Sequence, residues 1–418
     1  MRQAGALSRV AWIAAGIVVL AAIGVGAYFA IEQVSEDEDE APAPPVAVKD
    51  HDDDEPQGAE ELGFPAFATK NTTRVGGDDP TADAAGVALA TFPSAGGIEG
   101  PAAVTLVPSS DWAAGIAASV LASDPIHAPV LLGDRDGLPD QTETAIEALE
   151  PRGSPETSDA QAFRIGDVRA PGGLRTMAAS GDDPAQLADS IDKLRQRLAD
   201  SEPRHVLVVS TEEPAFAMPA AAWAARSGDP VLFVERNAVP EATEQALKRH
   251  DDTPAFVLGP ESVVSEKVLR EVEKIAPSVQ RVSGQDPVAN AIAFARFEAG
   301  GFGWNITDPG HGLVIANTAE PLDAAAAASL SASGKWGPLL VTEGADAVPA
   351  ELRGFLLDIK PGYLNDPTRA FYNHAWLIGD SGDLSVGFQA QVDDALELAQ
   401  IQAAAGSKPG AAEREGNP

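Results

Sequence analysis

Gly77-Asp78-Asp79-Pro80 returns as Gly181-Asp182-Asp183-Pro184 and again as Gly284-Gln285-Asp286-Pro287. The copies stand about 100 residues apart, a period that marks a tandem architecture. Two further markers keep the same order. Pro129-Val130-Leu131-Leu132 is followed by Pro230-Val231-Leu232-Phe233 and Pro338-Leu339-Leu340-Val341, and Ile165-Gly166 by Leu258-Gly259 and Ile378-Gly379. Three markers, in one order and three times over, leave no stretch for a separate catalytic domain.

Working outward from the motif, each repeat has one internal grammar. Asp79 or Thr81 can cap a helix that carries Pro80 in its first turn. An apolar run follows (Ala103 to Val107), then an Ala-rich helix (Trp112 to Ala122), the Pro-Val-Leu-Leu strand, a helix from Asp140, and a last strand ending at Gly166. The strands are continuous apolar runs rather than alternating ones, which is the pattern of parallel strands covered on both faces by crossover helices. The expected fold class is therefore α/β: three tandem Rossmann-like modules, each with a small, mainly parallel sheet of three or four strands.

The ends read differently. Val10 to Ile31 carry no charge, follow Arg2 and Arg9, and precede Glu32 and the acidic run Glu36 to Glu40. That length can cross a membrane, and the flanking charges put the N-terminus in the cytoplasm and the rest outside; a cleaved signal peptide is the alternative. The expected division is 1–9 cytoplasmic, 10–31 transmembrane, 32–63 a disordered acidic Pro-rich tether, 64–170, 171–277 and 278–402 the three repeats, and 403–418 a disordered tail. The chain of 418 residues has 63 acidic and 29 basic side chains, a net charge of −34, and no cysteine. Such a balance excludes nucleic acid as a partner and leaves the N-terminal helix as the expected membrane contact. The absence of cysteine excludes disulfides.

The joint order of these markers resembles the cell wall-binding repeat 2 family, from about Thr72 to Leu398. The resemblance rests on the Arg74-Val75-Gly76-Gly77 and Arg281-Val282-Ser283-Gly284 starts and on the Pro-Val-Leu-Leu strands. It rests further on the Leu138-Pro139, Val239-Pro240 and Val348-Pro349 pairs, and on Glu261-Ser262-Val263-Val264-Ser265 after Gly259. It implies modules in threes around a pseudo-threefold axis, displayed at the cell surface. It also implies attachment to an anionic cell-wall polymer, with the Pro-x-Leu-Leu segment associated with binding. The family's Asp-Arg-Tyr-x-Thr is replaced here by Asp79-Pro80-Thr81, Asp183-Pro184-Ala185 and Asp286-Pro287-Val288, so its basic and aromatic residues are missing from all three copies.

An anionic polymer needs arginines that fork onto phosphate or carboxylate, and ligands in parallel α/β units sit past the carboxyl ends of strands. Arg135 and Arg236, six residues after the motif proline, meet both conditions; Gly344 holds the third place. With them stand Pro129, Leu131, Leu132, Pro230, Leu232, Pro338 and Leu340, and the loop aromatic Trp304 as a sugar contact. Arg74, Arg175 and Arg281 are expected to pair with acids at module junctions. Asp111 and Asp323 are expected to cap the Ala-rich helices, and Trp112 and Trp223 to pack in the core. Gly379-Asp380-Ser381-Gly382 resembles a protease turn but ends a strand. The six histidines lack metal-ligand spacing, and no cofactor or metal is expected. The reading is a membrane-anchored, non-catalytic binding protein for an anionic wall polymer. The alternatives are a scaffold for an envelope protein and an envelope glycan- or peptide-processing enzyme, which would need clustered carboxylates of shifted pKa in a cleft.

Overall fold

The Asp-Pro motif does what its chemistry dictates. Asp79, Asp183 and Asp286 lie in extended backbone, and each side chain accepts backbone N–H groups at the head of a helix. Asp79 takes Thr81 and Ala82 at 2.9 Å, Asp183 takes Gln186 at 2.9 Å and Asp286 takes Ala289 at 2.8 Å. Proline opens each of these helices, Pro80–Thr91, Pro184–Leu198 and Pro287–Arg296, where its missing N–H costs nothing. A glycine is required ahead of the cap because the backbone folds onto the helix: a Cβ at Gly181 would lie 2.3 Å from the Leu187 amide nitrogen.

The computed structural model describes residues 67–92, 100–199 and 201–401. The expected membrane segment at 10–31, the cytoplasmic end, the tether and the tail lie outside them. Among the described residues no helix is long and apolar enough to cross a membrane.

The strands are β1 (Phe67–Ala68), β2 (Thr72–Val75), β3 (Val104–Pro108), β4 (Val130–Gly133), β5 (Ala162–Ile165), β6 (Thr176–Ala179), β7 (Val206–Ser210), β8 (Val231–Val234), β9 (Ala255–Leu258), β10 (Val279–Val282), β11 (Gly312–Asn317), β12 (Leu339–Thr342), β13 (Gly362–Tyr363), β14 (His374–Ile378) and β15 (Ala399–Gln400). They form three sheets, ordered β4-β3-β5-β6, β8-β7-β9-β10 and β12-β11-β14-β2-β1, and a small β13-β15 pair. Every pairing is parallel except β1 with β2.

Sheet and sequence repeat are offset by one strand. The strand that opens a repeat completes the sheet of the repeat before it: β6 in the first sheet and β10 in the second. Among the described residues no further repeat supplies such a strand to the third sheet, and β2, from the start of the first repeat, fills the place. Thr72 to Val75 pair in parallel with Ala375 to Ile378.

The Ala-rich helices meet in the middle. They are Trp112–Ala118 with its 3-10 extension Ser119–Ala122, Pro214–Ser227, and the paired segments Asp323–Ala326 and Ala328–Ala332. Ala122, Ala225 and Ala328, evenly spaced in the sequence, are buried against one another in a cluster of their own. This is the contact a pseudo-threefold axis produces. Small side chains allow it: a Cβ on Gly115 would lie 2.9 Å from the Ala325 Cβ. The strands are buried on both faces, as their composition requires. In β4, Val130 and Leu132 face the axial core while Leu131 faces an outer one; in β12, Leu339 and Val341 divide from Leu340 in the same way.

Candidate functional site

Burial sorts the ten residues expected to touch ligand. Leu131, Leu132, Leu232 and Leu340 are at most 1% exposed, and Pro129, Pro230 and Pro338 are buried as well. They fill the sheets, which leaves the arginines as the exposed members of the set at these loops. Arg135 and Arg236 are exposed just past the ends of β4 and β8. Arg135 lies 3.3 Å from Asp167, in a cleft of about 780 Å³ also lined by Asp111, Asp134 and Asp136. Four carboxylates around one guanidinium make that cleft electronegative. Arg236 differs: its side chain has no ion pair among the described residues, and its carbonyl receives the Ser265 N–H at 3.0 Å.

Of the arginines at the repeat starts, Arg281 pairs with an acid as expected, whereas Arg74 and Arg175 donate to carbonyls. Arg74 donates to the carbonyls of Gly379, Asp380 and Leu384 and to the Gln389 side chain. Arg281 donates to the Gly259 carbonyl and pairs with Glu266. Each clamps the turn that follows the preceding module's last central strand. Arg175 is out of register, because Ala178 occupies that place beside β5. There Arg164, one strand over, reaches the Val168 carbonyl at 2.9 Å. In the Gly379 turn, Asp380 accepts the backbone N–H groups of Gly382 and Asp383, a turn rather than a nucleophile.

Asp111 caps its helix through the Ala114 N–H at 2.9 Å, but Asp323 does not cap. It is fully buried beside Asp83, and neither of its carboxyl oxygens meets a hydrogen-bond donor among the described residues. Asp83 accepts the Gly77 N–H at 2.8 Å. Burial pushes Asp83 up to about 8 and Asp323 well above the carboxylate range, so both carboxyls favour the protonated form. Burial also raises Asp383 and Glu320 at the edge of this group, helped by the charge of Asp380 at the first and of Asp383 and Asp79 at the second. Sequence spacing gave no sign of a carboxylate cluster, because its members come from opposite ends of the chain. At 1% and 0% exposure the central pair is closed to substrate. Among the described residues no group of His, Asp and Glu is placed to hold a metal ion.

Trp112 packs edge-on to Phe233, with ring centres 5.9 Å apart. Trp223 is 6% exposed and donates to the buried Asp229 at 2.9 Å. Both are core residues. Trp304 stands edge-on to Trp223 at 5.5 Å and lines a cleft of about 530 Å³, with Arg226, His311 and Lys335. This cleft lies where β11 and β12 begin, at the opposite end of those strands from the loops equivalent to Arg135 and Arg236.

Residues 179–269 match the family described as cell wall binding domain 2 (CWB2), so the resemblance expected from the triplicate motifs is shown over that span. Two solved structures are similar, Cwp8 and Cwp6 from Clostridium difficile. Cwp8 is 21% identical with a TM-score of 0.60, over 78% of this chain and 52% of its own. Cwp6 is 20% identical with a TM-score of 0.63, over 78% and 48%. At that identity the likeness is one of fold, and the chain spans about half the length of either structure. The search of curated proteins gives no match.

Proposed function

We propose that this chain is a non-catalytic, cell-surface binding protein that engages an anionic cell-wall polymer at the strand-end loops of its modules. One observation carries the reading. The segment matching cell wall binding domain 2 contains the Pro230 strand and Arg236, whose guanidinium is exposed and without an ion pair among the described residues. A free guanidinium offers a planar fork that fits phosphate or carboxylate. Arg135 contributes less, since Asp167 already holds it and three more carboxylates stand by. The binding is a sum of weak contacts strengthened by their linkage on one chain. In this reading, residues 10–31 anchor the chain in the membrane and 32–63 tether it.

The test is retention of the full-length protein, in detergent, by purified cell walls before and after their anionic polymers are stripped. Retention that vanishes on stripping, and that falls in Arg236→Ala more than in Arg135→Ala, is the expected result. Equal retention on stripped walls would refute the anionic ligand. No retention on either wall would refute wall binding and favour an envelope protein as partner.

A further inference from the structure

The third repeat is longer than the second at one end of its sheet. The connection into its first strand runs through 297–311, against 199–205 in the second repeat. Its Ala-rich helix is separated from Pro338 by 333–337, against 228–229 before Pro230. The connection into β14 runs through 359–373, against 250–254. The added residues of the first two connections line the Trp304 cleft, and Phe371 from the third packs on Gly310 at its rim. The cleft is therefore built from connections that the second repeat keeps short.

We infer that this cleft binds a negatively charged sugar residue, one bearing a carboxylate or a phosphate. The first argument is charge. In a chain of net charge −34, Arg226 and Lys335 converge on this cleft, both exposed and with no side-chain hydrogen bond or ion pair among the described residues. No carboxylate is among the lining residues, whereas four line the first module's cleft. His311 is the third basic group, 3.3 Å from Asp308, which offsets its charge when the ring is protonated. Two uncommitted cations in a cleft wall attract an anion, and the guanidinium fixes its orientation.

The second argument is shape. Trp304 is half-buried and lies against Gly337, where a Cβ would come within 2.7 Å of the indole. Trp223, held by Asp229, braces it from the side. An indole fixed in this way is a ready platform for the apolar face of a pyranose, and its rigidity lowers the cost of binding. Gly334 (φ +71) does the same for Arg226: a Cβ there would sit 2.3 Å from Nη1, so the guanidinium lies over bare backbone. Phe371, 70% exposed, adds an aromatic edge at the rim. The volume of about 530 Å³ falls within the range of small-molecule sites, roughly 300–1,000 Å³.

The test uses the full-length protein in detergent, with tryptophan fluorescence and calorimetry as readouts. The probes are digalacturonate (carboxylate), a glycerol phosphate oligomer (phosphate) and cellobiose (neutral). At least one acidic probe is expected to bind and to change the tryptophan emission, with cellobiose binding at least about tenfold more weakly. Which acidic probe binds tells carboxylate from phosphate. The double variant Arg226→Gln/Lys335→Gln should weaken the acidic probe by about tenfold or more, since hydrogen bonds to charged groups are lost. Both side chains are exposed and unpaired, so its melting temperature should match the parent's, and Gly334→Ala should weaken the same probe by displacing the guanidinium. Absence of binding by either acidic probe, affinity unchanged in the double variant, or equal binding of cellobiose would overturn the proposal. The two readings fail separately: this one on soluble probes, the strand-end reading on wall retention of Arg236→Ala.

Discussion

A carboxyl group that loses its proton only near pH 8 ties folding to pH in a direction opposite to that of an ordinary ion-paired aspartate. Asp83 titrates near 3.8 in the unfolded chain and near 8 in the folded one, so the folded state holds the extra proton between these values. Stability from this group is therefore complete below pH of about 4 and is lost as pH rises toward about 8, by about 1.4 kcal/mol per pH unit while the proton is held. Asp83→Asn should remove much of that slope. The fold itself supplies the precedent: Asn290 occupies the matching place in the third repeat and accepts the Gly284 N–H at 3.2 Å, as Asp83 accepts that of Gly77. Thermal melts across pH 5 to 9 should show the variant gaining steadily on the parent as pH rises from about 5, with the difference levelling off above about 8. Parallel profiles would mean that Asp83 does not hold its proton in the folded state. None of this was legible in the sequence, where Asp323 reads as a helix cap and Asp83 as one polar residue in an Ala-rich helix. What decides their chemistry is burial against each other, a long-range fact.

Local signals, by contrast, survive into the structure. The capping aspartates, the prolines behind them and the apolar runs each act within a few residues, and each element they announce is present. Asp183→Ala should cost about 1 kcal/mol, the usual worth of a cap, read as a shift in the urea midpoint with an unchanged slope. The Pro-x-Leu-Leu strands were legible as strands, but their share in binding was expected from the resemblance, and burial assigns these side chains to packing. Leu232→Ala should destabilise the fold by about 2–5 kcal/mol. Wall retention per folded molecule should stay that of the parent, and a variant that kept its stability but lost retention would return the leucine to the site. The arginines mark the limit of motif alignment. Extra residues ahead of Gly181 shift Arg175 out of line, and Arg164 clamps the turn from the neighbouring strand. The function was kept by position in space and not by position in the motif.

At the scale of the whole molecule, the triple repeat was visible from its period, but its closure was not. Nothing near Thr72 says that it pairs with a strand about 300 residues away; the partner follows from three offset sheets arranged in a ring, in which the last lacks a neighbour and the first strand is free to supply it. β2 thus joins the two ends of the described chain, and Arg74 is its rivet, satisfying three carbonyls and a glutamine in the third module. Arg74→Ala would leave several of those buried carbonyls without partners, at about 1–3 kcal/mol for each left unsatisfied. The loss should fall unevenly. Hydrogen exchange should quicken in β14 and in the Gly379 turn, and next in the helix Val386–Leu396, from which Gln389 also reaches Thr72. The β7–β10 sheet, which is completed from within its own stretch of chain, should keep its protection. Uniform loss over all three sheets would instead show that the ring unfolds as one unit and that closure by β2 supports the entire molecule rather than its last module.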